Sequence, residues 1–125
     1  LHSSSAEIQA NRAGSLSALV AWSKHIVVLK GQHTLLGSPA EAMRVCNRGN
    51  PGLAVGGTGD VLTGLIAALV AQGTDKKLTP WEAACLGVEV HALAADRLLV
   101  KLGGPIGMTP SELILEIRQV LNDLL

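Results

Sequence analysis

Residues 49–59, Gly-Asn-Pro-Gly-Leu-Ala-Val-Gly-Gly-Thr-Gly, place five glycines in eleven positions and run straight into an apolar segment, residues 61–71. So much glycine excludes the interior of a regular element, because each glycine gives up more backbone entropy than any other residue when it is ordered. The stretch therefore reads as a loop whose backbone lies close to another group. Behind it, Val61, Leu65 and Leu69 form one stripe and Leu62, Ile66 and Val70 its neighbour, with Ala67, Ala68 and Ala71 filling most of the rest. A helix apolar on all sides is expected to be buried, and Gln72-Gly73 is its expected end.

Other elements follow from local signals. Ser4-Ser5-Ala6-Glu7 has capping-box spacing, and Ile8, Leu16, Leu19, Val20 and Trp22 recur at loose helical intervals, which predicts one helix ending near Lys24. Ile26-Val27-Val28-Leu29 lacks alternation, as does a strand covered on both faces of a parallel sheet. Lys30-Gly31-Gln32-His33 turns out of it, and residues 34–37 and 43–46 read as a small hairpin around Ser38-Pro39. Thr79-Pro80-Trp81-Glu82 and Thr109-Pro110-Ser111-Glu112 each carry a helix start. The first of these helices should run to about Leu102, with Glu82, Glu89 and Asp96 on its wet side and Ala84, Gly87, His91 and Ala95 on its packed side. The second shows an apolar face of Leu113, Ile117, Val120, Leu121 and Leu124.

The reading is thus α/β, with a parallel central sheet and flanking helices. One central strand buries nothing by itself, and an all-apolar helix needs partners, so more sheet is expected N-terminal to Leu1. A start at Leu1-His2 rather than Met suits a cut through a longer chain.

Ten basic and ten acidic residues leave no net charge, which argues against a surface for nucleic acid or anionic membrane. The longest apolar run falls well short of the roughly 20 residues of a membrane span. Cys46 and Cys85 stand apart without metal-ligand or disulfide spacing, so reduced, buried thiols and a cytoplasmic location are expected.

The chemistry centres on Gly56-Gly57-Thr58-Gly59-Asp60. A helix N-terminus presents unpaired N–H groups and the positive end of the dipole, and glycines let an anion settle on them. Gly57, Thr58 and Gly59 are the expected cradle. Asp60, the one acidic residue between Glu41 and Asp75, would oppose a bound phosphate but could take a proton from an attacking hydroxyl. Thr58 and Asp60 are also favoured caps, so a purely structural role stays open. Two phosphate motifs are excluded: residues 52–58 lack the P-loop Lys, and Leu62 stands where a dinucleotide fingerprint needs its third glycine.

Residues 50–64, Asn-Pro-Gly-Leu-Ala-Val-Gly-Gly-Thr-Gly-Asp-Val-Leu-Thr-Gly, with Lys30-Gly31-Gln32-His33-Thr34 upstream, resemble the ADP-dependent NAD(P)H-hydrate dehydratases of the ribokinase-like superfamily. The resemblance continues through residues 82–88 and His91 to the closing helix. It implies that residues 1–125 are the C-terminal portion of a ribokinase-like α/β/α sandwich whose N-terminal half grips the nicotinamide hydrate. It implies Asp60 as the catalytic, substrate-facing residue, Gly59 as a contact to the adenine nucleotide, and Lys30, Gly31, Gln32, His33 and Thr34 as the turn receiving its phosphates, with Asn50 a further candidate. ADP or ATP would be the co-substrate, with Mg2+; the substrate would be NADH or NADPH hydrate. A homo-oligomer at full length and a preceding epimerase domain are also implied.

Alternatives accompany each reading. A superfamily kinase acting on hydroxymethylpyrimidine or pyridoxal would use Asp60 in the same way, although residues 50–56 look unlike those kinases. A fragment inactive without its missing half is the alternative of another class. Lys30 could snorkel to solvent, His33 could be only a turn residue, His91 reads as a packed helix histidine, and Arg44 and Arg48 read as solvated charges.

Overall fold

The computed structural model describes residues 3–124, apart from the side chain of Lys76. It divides into two compact units, Leu1–Asn47 and Arg48–Leu125.

In the first unit the expected single N-terminal helix is two: α1 (Ser5–Ala10) and α2 (Arg12–Ser23). The capping box forms, with Glu7 N–H on Ser4 Oγ and the Glu7 carboxylate on Ser4 N–H. The break falls at Asn11, whose side-chain oxygen accepts from Gly14 N–H at 3.2 Å and so caps a second helix, as Asn does readily. α2 ends where expected, on Lys24 in the left-handed conformation (φ 62°).

β1 (Val27–Leu29), β2 (Leu35–Ser38) and β3 (Glu41–Val45) form an antiparallel meander in the order β1-β2-β3. The expected β2–β3 hairpin is present, but among the described residues the sheet is antiparallel rather than the expected parallel one: β1 pairs antiparallel with β2, Val27 opposite Gly37 and Leu29 opposite Leu35. The reason is reach. Residues 30–34 form a short turn, whereas a parallel crossover needs a dozen residues or more. β1 is half-buried throughout rather than covered on both faces. α2 lies on this sheet, and Gly37 makes the approach possible: a Cβ there would sit 2.9 Å from Val20 Cγ2 and 3.1 Å from Leu16 Cδ2. Leu16, Leu35 and Leu36 are buried, and Trp22 is 70% exposed.

The second unit is helical: a 3-10 turn at Pro51–Leu53, then α3 (Thr58–Lys76), α4 (Pro80–Leu102) and α5 (Pro110–Leu124). α3 runs past its expected end at Gly73 to the left-handed Lys77, and Gly73 O accepts from Leu78 N–H at 2.9 Å. α3 is also less covered than its composition predicts. Leu62 is buried and Val61, Leu65, Ile66 and Leu69 are half-buried, but Ala67, Ala68 and Val70 are exposed. Only the side toward α4 and α5 is packed among the described residues.

α4 is the buried centre of the unit. The Thr79–Glu82 capping box starts it and Gly103 (φ 76°) ends it. Its small-residue stripe works as expected, with Ala84, Gly87, His91 and Ala95 all buried. A Cβ on Gly87 would meet Ile66 Cγ1 at 2.7 Å, so α3 and α4 cross in near-contact there. On α5, Leu113, Ile117 and Val120 join the core with Val90, Leu98 and Met108, while Leu124 is 60% exposed. Cys46 and Cys85 are both buried, and no disulfide joins them. Among the described residues no helix is long and apolar enough to cross a membrane.

Candidate functional site

Lys30, Gly31, Gln32, His33 and Thr34 make the turn between β1 and β2. Its conformation is demanding: His33 has φ 56°, uncommon for a residue with a side chain. The carbonyls are held from within the unit. Thr34 Oγ1 donates to Gly31 O at 3.2 Å, and the Arg12 guanidinium donates to Leu29 O and His33 O at 3.0 Å each and to Gln32 O. The guanidinium also lies close over Gly31, where a Cβ would sit 3.0 Å from Arg12 Nη2. The Lys30 side chain is exposed.

The second unit holds the remaining candidates on one loop and helix start. Asn50 and Asp96 build the loop: the Asp96 carboxylate accepts from Gly49 N–H and from Asn50 Nδ2, each at 3.0 Å, and Asn50 Oδ1 accepts from Gly52 N–H at 3.0 Å. Both ends of the Asn50 carboxamide are thus engaged, Nδ2 by α4 and Oδ1 within the loop. Asp96, expected on the wet side of its helix, is half-buried because it anchors this loop. Farther along, Thr58 is buried, with its hydroxyl 2.7 Å from Leu53 O and 3.0 Å from Val55 O. That side chain closes the loop and does not cap the helix. His91 supports the same point from α4, its Nε2 2.9 Å from Thr58 O.

The N-cap of α3 is Gly57 in the left-handed conformation (φ 101°), and no side chain caps the helix. The capping roles open to Thr58 and Asp60 are therefore not the ones they take. Gly59 and Asp60 lie in the first turn, where N–H groups have no acceptor within the helix, and the Asp60 side chain is exposed. A Cβ on Gly57 would meet Pro110 Cγ at 3.0 Å, so both its conformation and its space require glycine. The flanking Arg48 pairs with Glu89 at 3.3 Å, both about half exposed, and Arg44 is exposed.

Arg12, Asp96 and His91 are the supporting residues that sequence reading misses in these roles. Arg12 is the one Arg or Lys between Leu1 and Ser23, which is a weak signal. The other two lie on α4, more than thirty residues from the groups they hold, and nothing local marks them.

A glycine-built helix start without a side-chain cap offers backbone N–H groups of the kind that hold anions. The chain belongs to the NAD(P)H-hydrate dehydratase family, whose model matches residues 1–119. It is 39% identical over 116 residues to the bifunctional NAD(P)H-hydrate repair enzyme of Coxiella burnetii, covering 93% of this chain and 23% of that one. It is 38% identical over 117 residues to the ADP-dependent (S)-NAD(P)H-hydrate dehydratase of Neisseria meningitidis, covering 94% of this chain and 38% of the relative. Among solved structures, the ADP/ATP-dependent NAD(P)H-hydrate dehydratase of Bacillus subtilis, co-crystallised with ATP and Mg2+, matches 96% of this chain and 42% of its own. The TM-score is 0.85 at 28% identity. The chain therefore spans less than half the length of each of these proteins.

Proposed function

We propose that residues 1–125 are the C-terminal part of a ribokinase-like domain that dehydrates the S-epimer of NADH or NADPH hydrate at the expense of ADP or ATP. This would be a repair of damaged nicotinamide nucleotides. The observation that carries the reading is the start of α3, a glycine-built N-terminus without a side-chain cap, bearing the exposed carboxylate of Asp60 in its first turn.

Hydroxide is a poor leaving group, so the ring hydroxyl must first be activated. Asp60 takes its proton as the oxygen attacks the terminal phosphoryl group, and the bond to the departing nucleotide breaks. The N–H groups of the α3 first turn face the developing negative charge, and such preorganised donors stabilise it more than water can. The turn at Lys30–Thr34 receives the nucleotide phosphates on backbone amides and the Lys30 ammonium. Phosphate then leaves with the C–O electron pair, a proton is lost from the neighbouring carbon, and the ring double bond returns.

Among the described residues no group of three His, Cys, Asp or Glu side chains could hold a metal ion. Mg2+, which ordinarily binds through substrate phosphates and water with one or two carboxylates, would enter with the nucleotide. Two of the relatives are named bifunctional, which suits the epimerase domain that the family resemblance implies.

The test uses the full-length protein with NADPH hydrate, ADP or ATP, and Mg2+, following the return of NADPH absorbance. Recovery that depends on the nucleotide is expected. No recovery with either nucleotide, together with phosphorylation of hydroxymethylpyrimidine or pyridoxal, would overturn the reading in favour of a vitamin-precursor kinase.

A further inference from the structure

The β1–β2 turn is distinguished by what its carbonyls do. A single guanidinium on α2 binds the carbonyl oxygens of Leu29, Gln32 and His33. The Gly31 carbonyl accepts from Thr34 Oγ1, and the Thr34 carbonyl accepts from Cys46 N–H at 2.8 Å. No peptide bond among the described residues is cis, and in a trans peptide the N–H points opposite to the C=O. Drawing the Gln32 and His33 carbonyls toward Arg12 therefore turns the His33 and Thr34 N–H groups to the other side of the turn.

The arrangement has a cost. Arg12 Nε is buried without a hydrogen-bond partner among the described residues, and His33 is held at φ 56°. Strain of this kind persists where the surroundings over-determine it, and Arg12 supplies much of that determination. A planar fork reaches several carbonyls at once, whereas a Lys ammonium is a single point charge on a flexible stem. The cation also sits behind the turn, adding positive potential to amides that face away from it.

We infer that Arg12 is a positioning residue for nucleotide phosphate: it sets the Lys30–Thr34 turn with the His33 and Thr34 amides outward and so fixes the face that receives the ADP phosphates. This rests on the nucleotide-binding part of the reading above, not on the dehydration step. Arg12 itself touches the turn and not the ligand.

The test is calorimetric binding of ADP and of adenosine to the full-length protein, in the wild type and in Arg12→Ala, Arg12→Lys and Gly31→Ala. ADP affinity should fall by about tenfold or more in Arg12→Ala, the scale of losing hydrogen bonds from a charged group, while adenosine affinity stays within about twofold. Arg12→Lys should recover less than half of the loss on a logarithmic scale, because it returns the charge but not the fork. Gly31→Ala displaces the guanidinium without removing it, and it should reproduce the selective loss of ADP even if Arg12→Ala fails to fold. ADP bound as tightly by Arg12→Ala and Gly31→Ala as by the wild type overturns the inference. Full rescue by Lys, or equal losses for ADP and adenosine, also overturns it. A wild type that binds ADP yet restores no NADPH overturns the dehydratase reading alone and leaves this one standing.

Discussion

His91 Nε2 on α4 lies 2.9 Å from the carbonyl oxygen of Thr58, the first residue of α3. Nε2 is the donor in this contact, because a carbonyl can only accept, and His91 is buried. The bond ties the start of α3 to the most buried helix of its unit, at the turn that carries Gly59 and Asp60.

His91→Leu should therefore act at a distance. Removing a buried donor forfeits about 1–3 kcal/mol, which urea unfolding of the full-length protein would register as a lower midpoint. Turnover should fall more than nucleotide affinity, because the displaced element carries the proposed base. A variant with wild-type stability and turnover would assign the contact no role.

Asp96 makes a parallel case at the other end of the glycine loop. Its carboxylate accepts from Gly49 N–H and Asn50 Nδ2, and Asn50 passes the connection on to Gly52 N–H. Asp96→Ala and Asn50→Ala should each destabilise by about 1–3 kcal/mol. The double variant should cost less than their sum by about 0.5–3 kcal/mol, as for residues sharing one network. Strict additivity in urea melts would mean that the two side chains act independently.

The parts of this architecture that were legible in sequence are those with local causes. Ser4 with Glu7 and Thr79 with Glu82 are capping boxes at fixed spacing, and both form. The Ala84, Gly87, His91 and Ala95 stripe needs only helical periodicity to be placed inward. The pairing of β1 is not legible from its own residues: an unbroken apolar run suggests a parallel strand, but the short turn after it makes the pairing with β2 antiparallel. Asn11 splits a helix by offering its own cap, which periodicity does not reveal. The bonding roles of Arg12, Asp96 and His91 are not legible, because each satisfies backbone or loop groups far along the chain, a relationship that only the folded structure contains.

The near-contact of α3 and α4 predicts an overpacking penalty. A methyl on Gly87 would press on Ile66 Cγ1, and inserting a methylene-sized group into a packed site costs about 1–3 kcal/mol. Gly87→Ala should lower the unfolding midpoint, and adding Ile66→Ala, which removes the opposing atom, should restore part of it. A Gly87→Ala protein as stable as the wild type would show that the two helices can separate freely.

Glu82 supplies a pH dependence. Hydrogen bonds from the Thr79 hydroxyl and backbone N–H hold its carboxyl below the usual range. A depressed carboxyl contributes stability that is fully present above its unfolded value, about 4.3, and is lost as pH falls through the lower folded value. The stability gap between the wild type and Glu82→Gln should therefore be constant near neutrality and close in acid, below about pH 4. A gap unchanged down to pH 2 would mean that the ionised form is not what the cap binds.

Asp60 carries the decisive chemical prediction. Its side chain is exposed in the first turn of α3, so Asp60→Asn should leave the fold intact, at a cost of about 0.3–1 kcal/mol for the lost interaction with the helix dipole. ADP binding should hold or tighten slightly, since a negative charge beside the phosphate is removed. If the carboxylate is the base, turnover of NADPH hydrate should fall by about a hundredfold or more. The loss should appear in kcat and leave the KM for ADP near its wild-type value, because proton removal from the hydroxyl is needed in the transition state and not for nucleotide binding. Unchanged kcat would move the base to another residue. A rise in the KM for ADP with kcat preserved would instead make Asp60 part of nucleotide binding.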